Sequence, residues 1–323
     1  MKAFVTGATG FVGGHVADVL KARGDAVVAL ARRPEATRAL AERGMTPVSG
    51  SLEDERALHA ALDGVEVVYH VAGLIAARNA AEFHAVNEAG TVRLLAAARD
   101  VCPAARFVYI SSQAALGPSP PGTTLDEWAE CGPVTDYGRS KLAGERAVMA
   151  GPLEWSVVRP PVVYGPRDRE FLKLFRIARW GLAPVLGTGS QELSLVYVED
   201  LARAIALTGT HPAATRQVFH AAHAEVVLSR DLVRAAGRAL GRNPIVVPVP
   251  GALATPVVAL IGWAAAAAGR PSVLNADKMA EFLAPSWRLD VTKAERLLAW
   301  RAEVALADGF PRTASWYRAN RWL

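Results

Sequence analysis

Ala3-Phe4-Val5-Thr6-Gly7-Ala8-Thr9-Gly10-Phe11-Val12-Gly13 decides how the chain is read. A short β-rich run ends at Thr6, glycines follow at spacing three, and a segment closed by Gly24 reads as a helix. Glycines so placed let the backbone turn tightly, bring amide N–H groups close to a pyrophosphate and allow the helix to pack on its strand. The phosphates then meet the positive end of the helix dipole. Gly7, Thr9, Gly10, Phe11, Val12 and Gly13 are therefore the expected cofactor-binding residues of this turn.

The second strand, Ala26 to Leu30, bears on which dinucleotide is bound. NAD-binding chains usually place a carboxylate at its end, on the ribose hydroxyls. Here Ala31-Arg32-Arg33 follows, with two guanidinium groups able to clamp a 2′-phosphate. NADP is the expected cofactor, with NAD the alternative. Strands then alternate with helices: Thr46 to Val48, a helix over 54–62, Val65 to His70 ending in Val71-Ala72-Gly73, a helix over 82–98, Phe107 to Ser111, and Trp155 to Arg159. The alternation predicts the α/β class, a Rossmann-type doubly wound parallel sheet with ligands at the C-terminal strand ends. From about Arg167 the rhythm weakens. The expected division is a nucleotide domain over 1–165, with a returning segment at about 193–212, and a smaller C-terminal α/β substrate domain over 166–323.

Val134-Thr135-Asp136-Tyr137-Gly138-Arg139-Ser140-Lys141 opens a further helix, with Tyr137 and Lys141 four residues apart on one face. A free tyrosine titrates near about 10, and a cation held beside it favours the phenolate, which suits it to acid–base work near neutrality. Ser112 gains interest from this pair, because it ends the preceding strand. The loop Gly117 to Thr124 lies between them and could cover a substrate.

Composition excludes several classes. The chain has 323 residues, 51% hydrophobic and 21% charged, as expected of a globular protein. Its net charge of +5, from 36 basic and 31 acidic residues, is not gathered into one run, so nucleic acid is not indicated. Cys102 and Cys131 lack metal-type spacing, and no metal site is expected. Met1-Lys2 runs straight into the first strand, so a cytoplasmic location is expected. Gly251 to Gly269 is apolar, with Ala264 to Ala268 in a row, but Pro256 and Gly262 interrupt it; a buried helix or pocket wall is expected rather than a membrane span.

Taken together, these residues resemble the extended short-chain dehydrogenase/reductases along nearly the whole chain. Besides the glycine turn, the matches are His70-Val71-Ala72-Gly73, Asn87-Glu88-Ala89-Gly90-Thr91, Tyr109-Ile110-Ser111-Ser112, Tyr137 to Lys141, Arg159 to Pro166, Val196 to Asp200, Leu289 to Ala294 and Thr313 to Tyr317. The resemblance implies that Tyr137 exchanges a proton with the substrate oxygen, and that Lys141 lowers its pKa and bonds the nicotinamide ribose. It implies that Ser112 holds the substrate oxygen and that Asn87 supports the site. Pro160 and Val163 would border the nicotinamide, with Val71, Ala72 and Gly73 also at the cofactor. His70 reads as structural.

Two positions depart from the family pattern. Ser51-Leu52 stands where Asp-Leu often touches adenine, and Val162 stands where nucleotide-sugar enzymes often carry Asn. Gln113 and Ala114 likewise replace the acidic residue that dehydratases usually add after the serine. The expected activity is an NADP(H)-dependent reductase or dehydrogenase for a ketone or secondary alcohol on an apolar small molecule. A nucleotide-sugar epimerase or dehydratase, with Arg167 and Arg169 on its diphosphate, is the alternative, and a non-catalytic NADP-binding sensor ranks third. Similar proteins usually dimerise, so a homodimer is expected by resemblance only.

Overall fold

Near-continuous apolar strands such as Ala3-Phe4-Val5 and Val27-Val28-Ala29 must be covered on both faces. In the computed structural model, which describes residues 1–267 and 277–323, they are. Seven parallel strands are ordered Gln217–His220, Trp155–Arg159, Arg106–Ile110, Val67–His70, Lys2–Thr6, Ala26–Ala31 and Thr46–Ser49. On one face Val5, Ala29, Tyr69, Val108 and Val158 pack against helices Phe11–Ala22 and Val198–Thr208. On the other, Phe4, Val28, Val68, Phe107 and Val157 meet helices Glu55–Leu62, Gly90–Val101 and Asp136–Ala150. The α/β doubly wound sheet expected from the sequence is the fold.

Three details differ from the sequence reading. The predicted helix over 82–98 is composite: Ala80–His84 is α-helical, Ala85–Ala89 is a π-turn, and Gly90–Val101 resumes the α-helix. The π-turn, with its i→i+5 hydrogen bonding, contains Asn87, whose side chain is fully engaged by neighbouring groups.

The returning segment is split. Strand Glu192–Tyr197 belongs to a second sheet, pairing with Val162–Tyr164, Val226–Leu228 and Ser286–Trp287, while the helix after it, Val198–Thr208, packs against Phe11–Ala22. The strand that does join the large sheet is Gln217–His220, beyond the expected limit.

The apolar segment from Gly251 forms helix Gly251–Ala267, but no described side chain of it is buried. Leu253, Val257, Leu260 and Trp263 are exposed, because no other described element packs over that face. The expected end of this segment, 268–269, lies outside the described residues. Among the described residues no helix is long and apolar enough to cross a membrane.

Candidate active site

The glycine turn is built by close approach. The Gly10 N–H donates to Gly7 O at 2.8 Å, and Gly7 has φ +75. A Cβ on Gly13 would lie 2.2 Å from Gly7 O, and one on Gly7 would lie 2.8 Å from Ala72 N. Gly10 caps helix Phe11–Ala22 without a side-chain hydrogen bond, leaving amide donors for an anion.

In front of this turn lies a cavity of about 530 Å³. Its walls are Thr6, Gly7, Thr9 to Gly13, Leu30 to Arg32, Gly50 to Glu53, Val71 to Ile75, Ala85, Val86, Gly90 and Arg93. The expected cofactor residues of the turn, Arg32, Ser51, Leu52 and Val71 to Gly73 are thus brought together. Arg33 stands outside the cavity, exposed, 3.5 Å from Glu35. Pro160 and Val163 also lie outside it. The Pro160 carbonyl accepts the Gln113 N–H at 2.8 Å, and Val163 pairs with Val196 in the second sheet. The turn, the amide donors and the dimensions of the cavity fit a dinucleotide.

The second half of the site is positioned by helix Asp136–Ala150. Thr135 Oγ1 caps it, accepting the Gly138 N–H at 3.2 Å and donating to Glu281 at 2.7 Å. Tyr137 and Lys141 follow, one turn apart. Lys141 is buried; its Nζ donates to the Ile110 carbonyl at 2.6 Å and lies 4.4 Å over the Tyr109 ring. The same nitrogen is 3.5 Å from where a Cβ on Gly73 would sit, which sets the amine against the cavity wall. Burial lowers its pKa to about 7, with the Glu145 carboxylate acting in the opposite direction.

Burial pushes Tyr137 up to about 12, opposed by a hydrogen bond with Ser112 and reinforced by Glu281. Lys141 stands one turn further along the same helix. Its nitrogen is held by the Ile110 carbonyl and is itself driven toward the neutral form. Ser112 caps the short helix Gln113–Leu116, its Oγ accepting the Ala114 N–H at 3.1 Å. Asn87 accepts the Leu74 N–H at 2.8 Å and donates to Leu74 O at 3.0 Å and Ser140 Oγ at 2.9 Å. It thereby ties the cavity wall to helix Asp136–Ala150. His70 is fully buried between Thr6 and Thr91, at 2.7 and 2.9 Å, and is structural.

Sequence reading missed several participants. Ser140 lies inside the quoted motif, yet only the fold shows that it receives Asn87. Arg93 reaches the cavity from six residues beyond Asn87. Lys278, 5.7 Å over the Tyr137 ring, and Glu281 arrive from far along the chain with no local signal. Arg167 and Arg169 are engaged by other residues. Arg167 donates to Asp18 at 2.7 Å and contacts His15 at 3.1 Å, and Arg169 lies 5.4 Å over the Trp322 ring.

This fold and this cavity define a dinucleotide-binding α/β enzyme of the extended short-chain dehydrogenase/reductase type. Residues 3–222 match the NAD dependent epimerase/dehydratase family, and the chain belongs to it. It is 32% identical over 320 residues to ceramide reductase of Caulobacter vibrioides (strain NA1000 / CB15N), covering 99% of this chain and 95% of that one. It is 28% identical over 326 residues to UDP-glucose 4-epimerase of Vibrio cholerae, covering 96% and 93%. The fold is also that of MoeE5 in complex with UDP-glucose and NAD, with a TM-score of 0.79 at 24% identity over 99% of this chain and 100% of that one.

Proposed function

We propose that the protein is an NADP(H)-dependent oxidoreductase acting on a ketone or secondary alcohol of an apolar small molecule. What supports this reading is the hydrogen bond between Ser112 and Tyr137, together with a Lys141 nitrogen that is held by the Ile110 carbonyl against Gly73 of the cavity wall. A nicotinamide held at the glycine turn would supply or accept the hydride. Tyr137 handles the proton at the substrate oxygen. A phenol that keeps its proton to about pH 12 is a donor at neutrality, the role that ketone reduction requires. Ser112 Oγ shares the hydrogen bond to that oxygen, and Lys141 orients the ribose side of the site. Asn87, held by Leu74 and Ser140, keeps wall and helix in register. Arg32 on the cavity wall supports NADP, since its guanidinium can take a 2′-phosphate.

An apolar substrate is supported by Val162 and by the whole-length similarity to ceramide reductase. Similarity to UDP-glucose 4-epimerase favours the second reading, a nucleotide-sugar epimerase. That reading loses the diphosphate ligands expected of Arg167 and Arg169, which are held elsewhere. The test is NADPH consumption across ketones from small and polar to long-chain, with NADH and Tyr137→Phe in parallel. Turnover that prefers NADPH and falls by roughly 10²–10⁴-fold in Tyr137→Phe supports the proposal. Conversion of a sugar nucleotide without net NADPH loss, and no ketone turnover, refutes it.

A further inference from the structure

The chain between Trp180 and Trp263 carries apolar surface that no described element covers. Where Leu182–Leu186 pairs with Ile245–Val249, Leu182 is opposite Ile245 and Pro184 opposite Val247, and all four are exposed. This strand leads into helix Gly251–Ala267, which contains no charged residue. Leu253, Val257, Leu260 and Trp263 recur at spacings of three and four, hence on one face, and are 65%, 57%, 63% and 69% exposed. A soluble protein rarely leaves so much contiguous apolar surface without a partner.

Two further observations say what kind of partner. At the start of this surface Arg179, Arg242 and Arg318 line a concavity with Trp180, Leu240 and Leu323, and no acidic side chain lines it. The Arg179 guanidinium lies 5.1 Å over the Trp180 ring, and none of the three arginines forms an ion pair among the described residues. At the other end, a Cβ on Gly251 would lie 2.9 Å from Leu283 Cδ2. Leu283 ends the helix Lys278–Leu283, whose Glu281 bonds Thr135, the cap of the helix that carries Tyr137. The apolar surface therefore borders the element that closes on the catalytic residues.

We propose that this face seats the protein on an anionic phospholipid bilayer, with helix Gly251–Ala267 lying in the interfacial plane. The apolar stripe enters the acyl boundary, Trp180 and Trp263 occupy the headgroup level, and the arginines meet lipid phosphates. Self-association would use the stripe alone and leave the arginine cluster without counter-charge; an anionic bilayer satisfies both. The inference does not rest on the proposed reaction, because vesicle binding is read without turnover.

Flotation tests it, using phosphatidylcholine vesicles with and without phosphatidylglycerol. The wild-type chain should float with the anionic vesicles. Leu253→Ser/Leu260→Ser should cut the bound fraction about tenfold with an unchanged circular dichroism spectrum and melting point, since these side chains touch solvent. Arg179→Gln/Arg242→Gln should abolish the preference for anionic over neutral vesicles. Wild-type protein that stays unbound with both vesicle types overturns the proposal, and so does binding indifferent to both double variants. A concentration-dependent dimer lost in Leu253→Ser/Leu260→Ser, without vesicle binding, assigns the face to a second copy and equally overturns it.

Discussion

Replacing Lys141 by methionine should stabilise the fold at neutral and acid pH, and the gain should vanish in alkali. Burial takes the lysine from its ordinary 10.5 to about 7. Below pH 7 folded and unfolded chains both hold the proton, so the folded state bears the full cost of a buried ammonium. Between 7 and 10.5 the folded chain has released the proton while the unfolded chain keeps it. Stability of the wild type therefore rises with pH across that window, by about 1.4 kcal/mol per unit. Methionine has no such slope. Leaving the Ile110 carbonyl unpaired costs about 1–3 kcal/mol at every pH, so it cancels when two pH values are compared. The advantage of Lys141→Met over wild type should then be about 3 kcal/mol larger at about pH 6 than at about pH 9.5. Urea unfolding followed by circular dichroism measures it. An advantage, or a deficit, that is the same at both pH values would refute the argument that burial controls this lysine.

Other expectations follow from the same geometry. Arg32→Ala/Arg33→Ala should reduce the preference for NADPH over NADH about ten- to a hundredfold, most of it recovered in Arg32→Ala alone because Arg33 lies outside the cavity; competitive binding of the two cofactors decides it. Glu145→Gln strips the charge from the buried partner that holds Arg159 at 2.7 Å and should cost about 3–5 kcal/mol in urea unfolding, whereas Glu145→Leu/Arg159→Met should recover most of that loss. Gly13→Ala puts a methyl 2.2 Å from Gly7 O, so the turn must open; dinucleotide affinity measured by calorimetry should fall at least about tenfold while the circular dichroism spectrum is kept.

How much of this was legible beforehand depends on the range of the interactions involved. The glycine turn and the Tyr137/Lys141 pair are local, fixed by spacing within one turn or one helix, and both stand where the sequence puts them. Asn87 could be named, but not the π-turn beneath it, because that turn answers to Leu74 and Ser140, which approach only in the folded chain. Spacing placed Tyr137 and Lys141 on one helix face but could not show that the Ile110 carbonyl takes the lysine nitrogen. Helix Gly251–Ala267 misled because apolar composition signals a wish for burial, not its fulfilment. Lys278 and Glu281 reach Tyr137 and Thr135 across more than a hundred residues, a distance at which periodicity carries no information.

The order in which the strands arrive has a consequence for how the protein can be made. The large sheet takes its last strand from Gln217–His220 and one covering helix from Val198–Thr208, after the chain has already visited the second sheet through Val162–Tyr164 and Glu192–Tyr197. A nascent chain that has emerged only as far as residue 165 holds six of the seven strands but leaves Tyr69, Val158 and the helix Phe11–Ala22 uncovered on one face. Synthesis must deliver about fifty further residues before that face can close, so the early chain is a natural client for chaperones. For the same reason a gene split at residue 165 yields two halves that each lack part of a core, whereas a break in the exposed 241–243 turn leaves the seven-stranded layer whole on one piece.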